Sequence, residues 1–295
     1  MPMNVRFAAL LAVVAAPFIS APAHAADASI QVVAAENFYG DIARDIGGAH
    51  VAVISIMSNP DQDPHLFETT PGVVKQIADA QIVILNGNNY DPWMPKLMQA
   101  APRPNRVVID AGQIVNAKAG SNPHLWYAPA TMPAVAKAIA AAFSKSDSVH
   151  AADYAANLDK TLAQLARISQ RVGQIRDKHK GKAVTATEPV FGLMAEAAGL
   201  TMRNEKFQLA MMNDTEPSAR DIAAFEDDLK NHKVKAMIYN KQVSEKLTER
   251  LLAVAKKAKV PVIAVTETQP QGLTFTEWML GELDSLDKAL DGANS

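Results

Sequence analysis

The sequence predicts an α/β protein of two lobes, each with a mainly parallel sheet flanked by helices, joined by one long rigid helix. Short runs of β-branched residues alternate with helical patterns from Ser29 onward, and this order is typical of a parallel sheet with helices on both faces. One long amphipathic pattern interrupts the alternation between residues 149 and 180. The alternation then resumes, so we expect a second lobe after a helical connection.

The first lobe is predicted from four repeats of strand and helix. The predicted strands are residues 30–34, 51–57, 82–85 and 107–109, and the predicted helices are residues 38–46, 71–78, 93–98 and 133–143. Thr70 and Pro71 support the start of the second helix, because a threonine cap followed by proline is a common first turn.

The connection and the second lobe follow from the same kind of pattern. Apolar residues recur at spacings of three and four from Tyr154 to Ile175 without an intervening proline, which describes one face of an uninterrupted helix. Beyond it we predict strands at residues 183–187, 234–239 and 260–265, and helices at residues 191–198, 218–231, 244–257 and 275–290.

The first residues have the pattern of a secretory signal. Arg6 precedes an apolar run at residues 7–19, and Ala23-His24-Ala25 has the small-x-small pattern of a cleavage site. The chain contains no cysteine, so neither disulfides nor a cysteine-linked lipid is expected. We therefore predict a signal peptide (1–25), an N-terminal lobe (26–147), a linking helix (148–181) and a C-terminal lobe (182–295) of a free periplasmic protein, expected to be monomeric.

Charge and motifs exclude several classes of function. The 29 basic and 31 acidic residues are nearly balanced, so the chain lacks the basic surface of a nucleic-acid-binding protein. The sequence has no phosphate-binding loop, no G-x-S-x-G turn, no H-E-x-x-H helix and no EF-hand loop. An ATPase or a serine hydrolase is therefore disfavoured.

Residues able to bind a metal follow four of the predicted strands. His65 and His124 come after strands of the first lobe, and Glu188 and Glu267 come after strands of the second. Because ligands of open α/β sheets bind beyond the carboxyl ends of the strands, we expect these four to face one cleft. Two imidazoles and two carboxylates suit a divalent transition metal. Each residue taken singly also has an ordinary interpretation as a turn, cap or strand-end residue.

The two histidines lie in similar stretches, DPHLF at residues 63–67 and NPHLW at residues 122–126. Asp63 and Glu68 are candidates to orient an imidazole by accepting its ring N–H, a common arrangement around metal ligands. The other histidines of the mature chain are expected to be solvent-exposed; they are His50, His150, His179 and His232.

The chain resembles the metal-specific periplasmic binding proteins of zinc and manganese ABC importers, whose two lobes are joined by a single rigid helix. The matching stretches are AENFYGD at 35–41, DPHLFETTP at 63–71, NG at 86–87 with Trp93, NPHLW at 122–126, EPVFG at 188–192, EPS at 216–218 and VTET at 265–268. They span essentially the whole mature chain in the expected order.

The resemblance implies metal ligands at His65, His124, Glu188 and Glu267. In the family the third position is usually histidine in zinc members and glutamate in manganese members, so Glu188 favours Mn²⁺. The fourth is commonly aspartate, so Glu267 is a departure, and the His-rich loop of many zinc members is missing. The resemblance also implies a membrane permease and a separate ATPase as partners. It implies Mn²⁺ or Zn²⁺ as the transported ligand and no enzymatic activity.

Two other functions fit parts of the same pattern. An exported mononuclear metallohydrolase would need an open metal position with water and a nearby base, for which Glu68 is the candidate. A binding protein for a metal chelate, such as a siderophore or cobalamin, would use the same architecture with a wide aromatic or basic cleft.

Overall fold

The computed structural model describes residues 1, 29–59, 67–243 and 245–292. The predicted signal peptide lies outside the described residues apart from Met1, and so do Asp63 and His65. Within the described part of the chain, no helix is long and apolar enough to cross a membrane.

The N-terminal lobe is built on a four-stranded parallel sheet in the order β2-β1-β3-β4. Its strands are β1 Ile30–Glu36, β2 Val51–Met57, β3 Ile82–Leu85 and β4 Val107–Asp110. Its helices are α1 Asn37–Gly47, α2 Pro71–Asp79, α3 Trp93–Ala100, α4 Ala111–Ile114 and α5 Thr131–Ser146.

Alternate residues of the central strands are buried on opposite faces of this sheet. Val32 and Ile84 belong to the main core with α1 and α5. Val33 and Val83 belong to a second core with α2 and α3. Because both faces are covered, the central strands are continuous apolar runs rather than alternating ones.

A single helix, α6 Ala151–His179, connects the two sheets. Its 29 residues span about 43 Å at 1.5 Å per residue. It packs against α1 and α5 of the first lobe and against the last helix, α11 Phe275–Leu290. The predicted linking helix is thus confirmed.

The C-terminal lobe repeats the strand arrangement of the first, in the parallel order β6-β5-β7-β8. Its strands are β5 Ala183–Ala186, β6 Thr201–Arg203, β7 Met237–Asn240 and β8 Val262–Val265. Its helices before α11 are α7 Gly192–Ala197, α8 Glu205–Met212, α9 Ala219–Lys230 and α10 Lys246–Lys257. The predicted fold class is confirmed, although β6 and α8 were not predicted and β7 begins three residues later than expected.

Candidate metal centre

The described candidate residues lie beyond the carboxyl ends of parallel strands. Glu188 and Glu267 each come two residues after a strand, β5 and β8 respectively. His124 comes from the loop after α4 and immediately precedes a short 3-10 turn, Leu125–Tyr127. His65 lies outside the described residues, so its place in the site stays a prediction.

The imidazole of His124 is buried and held in one orientation. Its side-chain neighbour Asn122 accepts hydrogen bonds through Oδ1 from the backbone N of His124 at 3.0 Å and from its Nδ1 at 2.8 Å. The Asn122 amide must point this way, because its Nδ2 donates to the carbonyl oxygen of Pro189 at 2.7 Å. An Oδ1 acceptor requires the ring proton on Nδ1, so neutral His124 has its lone pair on Nε2.

That lone pair points at the second lobe. Among the described residues, the fully buried Nε2 of His124 has no hydrogen-bond partner, and it lies 3.5 Å from Oε2 of Glu267. Both side chains are essentially inaccessible, at 1% and 0% exposure. A buried nitrogen without a donor or acceptor is costly, and coordination of a cation is one way to satisfy it.

The two carboxylates are held together by Asn240, the last residue of β7. Its Nδ2 donates to Oε2 of Glu188 at 2.8 Å and to Oε1 of Glu267 at 2.7 Å. Glu188 is 6% exposed and Glu267 is fully buried. Two carboxylates sharing one neutral donor in the interior repel each other, and a divalent cation would offset that charge.

Tyr90 reaches Glu267 from the N-terminal lobe. Its hydroxyl donates to Oε2 of Glu267 at 2.9 Å. Burial raises the pKa of Tyr90 well above its usual value, and the nearby carboxylate of Glu267 raises it further. The phenol therefore remains a neutral hydrogen-bond donor to this carboxylate near neutral pH.

The loop that carries His124 is fixed by the end of β3. Asn86 donates through Nδ2 to the carbonyl oxygen of Pro123 at 2.8 Å and accepts from the hydroxyl of Tyr39 at 2.8 Å. Asp91 in turn accepts from the backbone N–H groups of Asn86 and Gly87 at 2.7 and 2.9 Å. Burial raises the pKa of Asp91 to about 6, against the lowering effect of these backbone bonds.

The asparagines of the site were not predicted from the sequence. The predicted site residues were histidines and acids beyond the strands, whereas Asn86 directly follows β3 and Asn240 ends β7. Their positions at the strand ends were a usable signal. The role of Asn122 could also have been inferred, because it stands two residues before His124, where Asp63 stands before His65.

The two predicted orienting acids remain predictions. Asp63 lies outside the described residues, and Glu68 is exposed. Next to Glu68, Phe67 packs on Trp93 with ring centroids 4.3 Å apart. This contact anchors Phe67 on α3.

A separate group of metal-type ligands lies away from the candidate site. His179, Asp287 and Asp291 have ligand atoms within 4.8 Å of one another. Both aspartates already pair with cations, since Lys178 pairs with both and Arg171 pairs with Asp287. The expectation that His179 is solvent-exposed was wrong: its side chain is 1% exposed and donates to Asp287 at 2.7 Å. The group joins α6 to α11.

Comparison with known proteins identifies the family. The model of the family described as "Zinc-uptake complex component A periplasmic" matches residues 32–289. The chain is similar to the high-affinity zinc uptake system protein ZnuA of Bacillus subtilis, at 24% identity over 86% of this chain and 84% of the relative. It is also similar to the manganese-binding lipoprotein MntA of the same organism, at 25% identity over 79% and 78% of the two chains.

The fold is shared with solved structures of similar description. The structure of the periplasmic zinc-binding protein TroA from Treponema pallidum matches with a TM-score of 0.76, at 18% identity over 89% of this chain and 99% of that one. The names of these proteins describe metal uptake and metal binding rather than catalysis. The prediction that the chain is not an enzyme is confirmed by the family and its relatives.

Proposed function

We propose, because this chain belongs to the family of periplasmic component A proteins of zinc-uptake complexes, that it captures one divalent transition metal ion in the cleft between its lobes. The ion, Mn²⁺ or Zn²⁺, is the transported substrate. The protein delivers it from the periplasm to the permease of an ABC importer, and a separate ATPase supplies the energy. In this proposal the two lobes are residues 26–147 and residues 182–295, and a linking helix at residues 148–181 joins them.

The observation that carries the proposal is the state of His124. Its Nδ1 is hydrogen-bonded to Asn122, while its buried Nε2 faces Glu267 at 3.5 Å and has no hydrogen-bond partner within the described part of the chain. Metal binding needs a deprotonated ring nitrogen, and the tautomer fixed by Asn122 presents one. A carboxylate of the other lobe lies beside it, so a bound ion would join the lobes.

The ligand set proposed for the ion is His65, His124, Glu188 and Glu267. Two carboxylates carry the charge that neutralises a divalent cation, as a buried site requires. Oxygen ligands of this kind favour Mn²⁺ by type, whereas intrinsic affinity is higher for Zn²⁺. The relatives include both a zinc-uptake and a manganese-binding protein. A titration in which the two ions compete for the protein is therefore needed to decide which one is the physiological substrate.

The burial of the site favours a bare ion over the two rival functions. The side chains of His124 and Glu267 are 1% and 0% exposed, so the described residues around them leave no wide cleft for a siderophore or cobalamin. A hydrolase would need a base beside a metal-bound water, and its candidate, Glu68, is exposed.

The test of capture is a titration of purified, metal-free protein with Mn²⁺ and Zn²⁺, combined with measurement of the metal content as isolated. Wild type should bind one ion. His124→Asn should bind at least about 100-fold more weakly, since loss of a residue that merely orients a ligand costs about 10- to 100-fold. The matched control is His232→Asn, an exposed histidine with φ of 51° that asparagine tolerates. Equal metal affinity of the two variants would overturn the assignment of His124 as a metal ligand.

Delivery requires an experiment in cells. Accumulation of Mn²⁺ and Zn²⁺ under metal limitation is measured in cells with and without this chain, and the chain is located by fractionation. Delivery would be supported if cells without the chain lose metal accumulation, and if the wild-type chain restores it but His124→Asn does not. Unchanged accumulation without the chain would contradict it.

A further inference from the structure

Glu282 of α11 lies behind the candidate site and touches both lobes. Its Oε1 accepts hydrogen bonds from Nε1 of Trp278 at 2.8 Å and from the backbone N of Thr266 at 3.2 Å. Its Oε2 lies 2.9 Å from the hydroxyl oxygen of Tyr127. Thr266 directly precedes Glu267, and Tyr127 follows His124 by three residues. One buried carboxyl group, 8% exposed, thus contacts residues within three positions of two candidate ligands.

The oxygen atoms around the Tyr127 hydroxyl are best satisfied when Glu282 carries a proton. The Tyr127 hydroxyl lies 2.7 Å from the carbonyl oxygen of Thr266 and 2.9 Å from Oε2 of Glu282. A hydroxyl donates one proton, and neither a carbonyl nor a carboxylate can donate. If Glu282 carries a proton on Oε2, it donates to Tyr127 and Tyr127 donates to Thr266, so every contact is satisfied. An ionised Glu282 would leave one close pair of oxygens without a proton.

We propose that Glu282, as a neutral carboxylic acid, is a positioning residue for metal capture that ties the His124 loop to the strand end carrying Glu267. The inference rests on the proposed function, because it concerns the placement of the same ligands. The chain of hydrogen bonds from Glu282 through Tyr127 to Thr266 runs from the C-terminal lobe into the N-terminal lobe and back. Loss of its proton would remove one bond and place two oxygens in repulsive contact.

The surroundings of Glu282 agree with a neutral acid. Burial raises its pKa to about 8, and the hydrogen bonds that Tyr127, Trp278 and Thr266 would donate to the ionised form, together with the positive charge of Lys241, only partly oppose this. The titratable and charged groups that face it are Tyr127, Lys241 and, beyond the Tyr127 hydroxyl, Glu267.

The raised pKa fixes the direction of the pH dependence. The folded arrangement holds the proton more tightly than the unfolded chain, so its stabilising effect is present at low and neutral pH. That effect is lost as the pH rises through about 8. Because the proposal ties the placement of His124 and Glu267 to the protonated form of Glu282, we expect the metal affinity of the wild type to fall between pH 7 and pH 9 by more than metal hydrolysis alone produces.

The experiment compares Glu282→Gln, Glu282→Leu and wild type in Mn²⁺ titrations from pH 6.5 to 9.5. Glutamine keeps one donor for Tyr127 and one acceptor for Trp278 and Thr266, but it has no proton to lose. We expect Glu282→Leu to bind Mn²⁺ about 10- to 100-fold more weakly than the wild type at pH 7. Glu282→Gln should bind Mn²⁺ at least about ten-fold more tightly than Glu282→Leu does. Glu282→Gln should also lack the alkaline fall of the wild type.

Two further variants keep the test decisive. Glu277→Gln changes an exposed acid of the same helix and keeps its capping interaction with Thr274, so its pH profile should match that of the wild type. Tyr127→Phe removes the central hydroxyl and should weaken binding at pH 7 even if Glu282→Leu does not fold.

The outcomes separate this inference from the proposed function. If the wild type binds neither Mn²⁺ nor Zn²⁺, the proposed function itself fails. If the wild type binds but Glu282→Gln keeps the full alkaline fall, Glu282 is not the titrating group and the inference is overturned. Wild-type affinity in both Glu282→Leu and Tyr127→Phe would also overturn it.

Discussion

The side-chain amide of Asn122 donates a hydrogen bond of 2.7 Å to the carbonyl oxygen of Pro189, 67 positions further along the chain. Asn122 belongs to the loop of His124 in the first lobe, and Pro189 directly follows Glu188 in the second. The oxygen of the same amide holds the His124 ring. One side chain therefore fixes the orientation of a proposed ligand and joins the two lobes beside the site.

Replacing Asn122 by alanine should weaken metal binding without unfolding the protein. The variant loses the acceptor that keeps the proton on Nδ1 of His124 and the bond to Pro189. We expect the affinity for Mn²⁺ and Zn²⁺ to fall about 10- to 100-fold, as measured by titration against a competing chelator. Asn157→Ala is the control, because it removes an asparagine whose Nδ2 donates to the carbonyl oxygen of Ile46 at 3.2 Å, at the far end of the first lobe. An equal loss in both variants would contradict the role of Asn122.

Gly192 leaves room for this asparagine. A Cβ atom at position 192 would lie 2.9 Å from Nδ2 of Asn122, so Gly192→Ala should push the amide away from Pro189 and His124. We expect lower metal affinity with little change in the unfolding free energy, because the displaced atom is the end of a flexible side chain.

Gly281→Ala is the matched control for Gly192→Ala. Position 281 lies inside α11, and a Cβ there would meet no atom of the described residues within 4 Å. Alanine should leave metal affinity unchanged and stabilise the helix by roughly 0.5–1 kcal/mol. Titration and urea unfolding of both variants test the pair, and unchanged affinity in Gly192→Ala would show that the close approach is not needed for binding.

The similarity of the two Pro-His stretches predicts the behaviour of variants around His65. Asn122 and Asp63 each stand two residues before a histidine, so we expect Asp63→Ala to weaken metal binding about 10- to 100-fold. His65→Asn should weaken it as strongly as His124→Asn. Glu68→Ala, at an exposed position, should change affinity less than Asp63→Ala does. Wild-type affinity in both His65→Asn and Glu267→Ala would reject the ligand assignment.

The repeating strand and helix pattern predicted the fold well because both sheets are parallel and buried on both faces. β2 and β3 have the predicted bounds, and α11 begins and ends at the predicted residues. The linking helix was predictable because one apolar face runs along its whole length. These features depend on local periodicity, which a single sequence contains.

The missed elements lack that periodicity. β6 has three residues, Thr201–Arg203, lies at an edge of its sheet and buries none of them fully. α8 follows it after Asn204, which has a left-handed φ of 61°, and its apolar residues do not form a strong stripe. Pairing with β5 gives β6 its conformation, and pairing is a long-range property.

The site was predicted in part for a related reason. Histidines and carboxylates beyond strand ends point to a metal by their chemistry alone, and His124 and Glu267 do lie 3.5 Å apart. The amide of Asn240 has no such chemistry of its own. Its role depends on Glu188 and Glu267 both lying within hydrogen-bonding distance, which only the folded lobes reveal.

Asp287 attaches α11 to α6. This carboxylate accepts hydrogen bonds from His179 at 2.7 Å, Arg171 at 2.9 Å and Lys178 at 3.2 Å. Partial burial alone would raise the pKa of Asp287, but these bonds outweigh it and lower the pKa to about 2. Asp287→Asn leaves buried His179 and two cations without their anion, so we expect the unfolding free energy at pH 7 to fall by about 1–3 kcal/mol.

Because the pKa of Asp287 is depressed, the stabilisation is present above the unfolded value near 3.8 and is lost as the pH falls through about 2. Urea unfolding at several pH values should therefore show the difference between wild type and variant shrinking between pH 4 and pH 2, whereas Asp177→Asn, at an exposed position of the same helix, should show little difference at any pH. A difference that stays constant down to pH 2 would mean that Asp287 stabilises the helix pair by packing rather than by its charge.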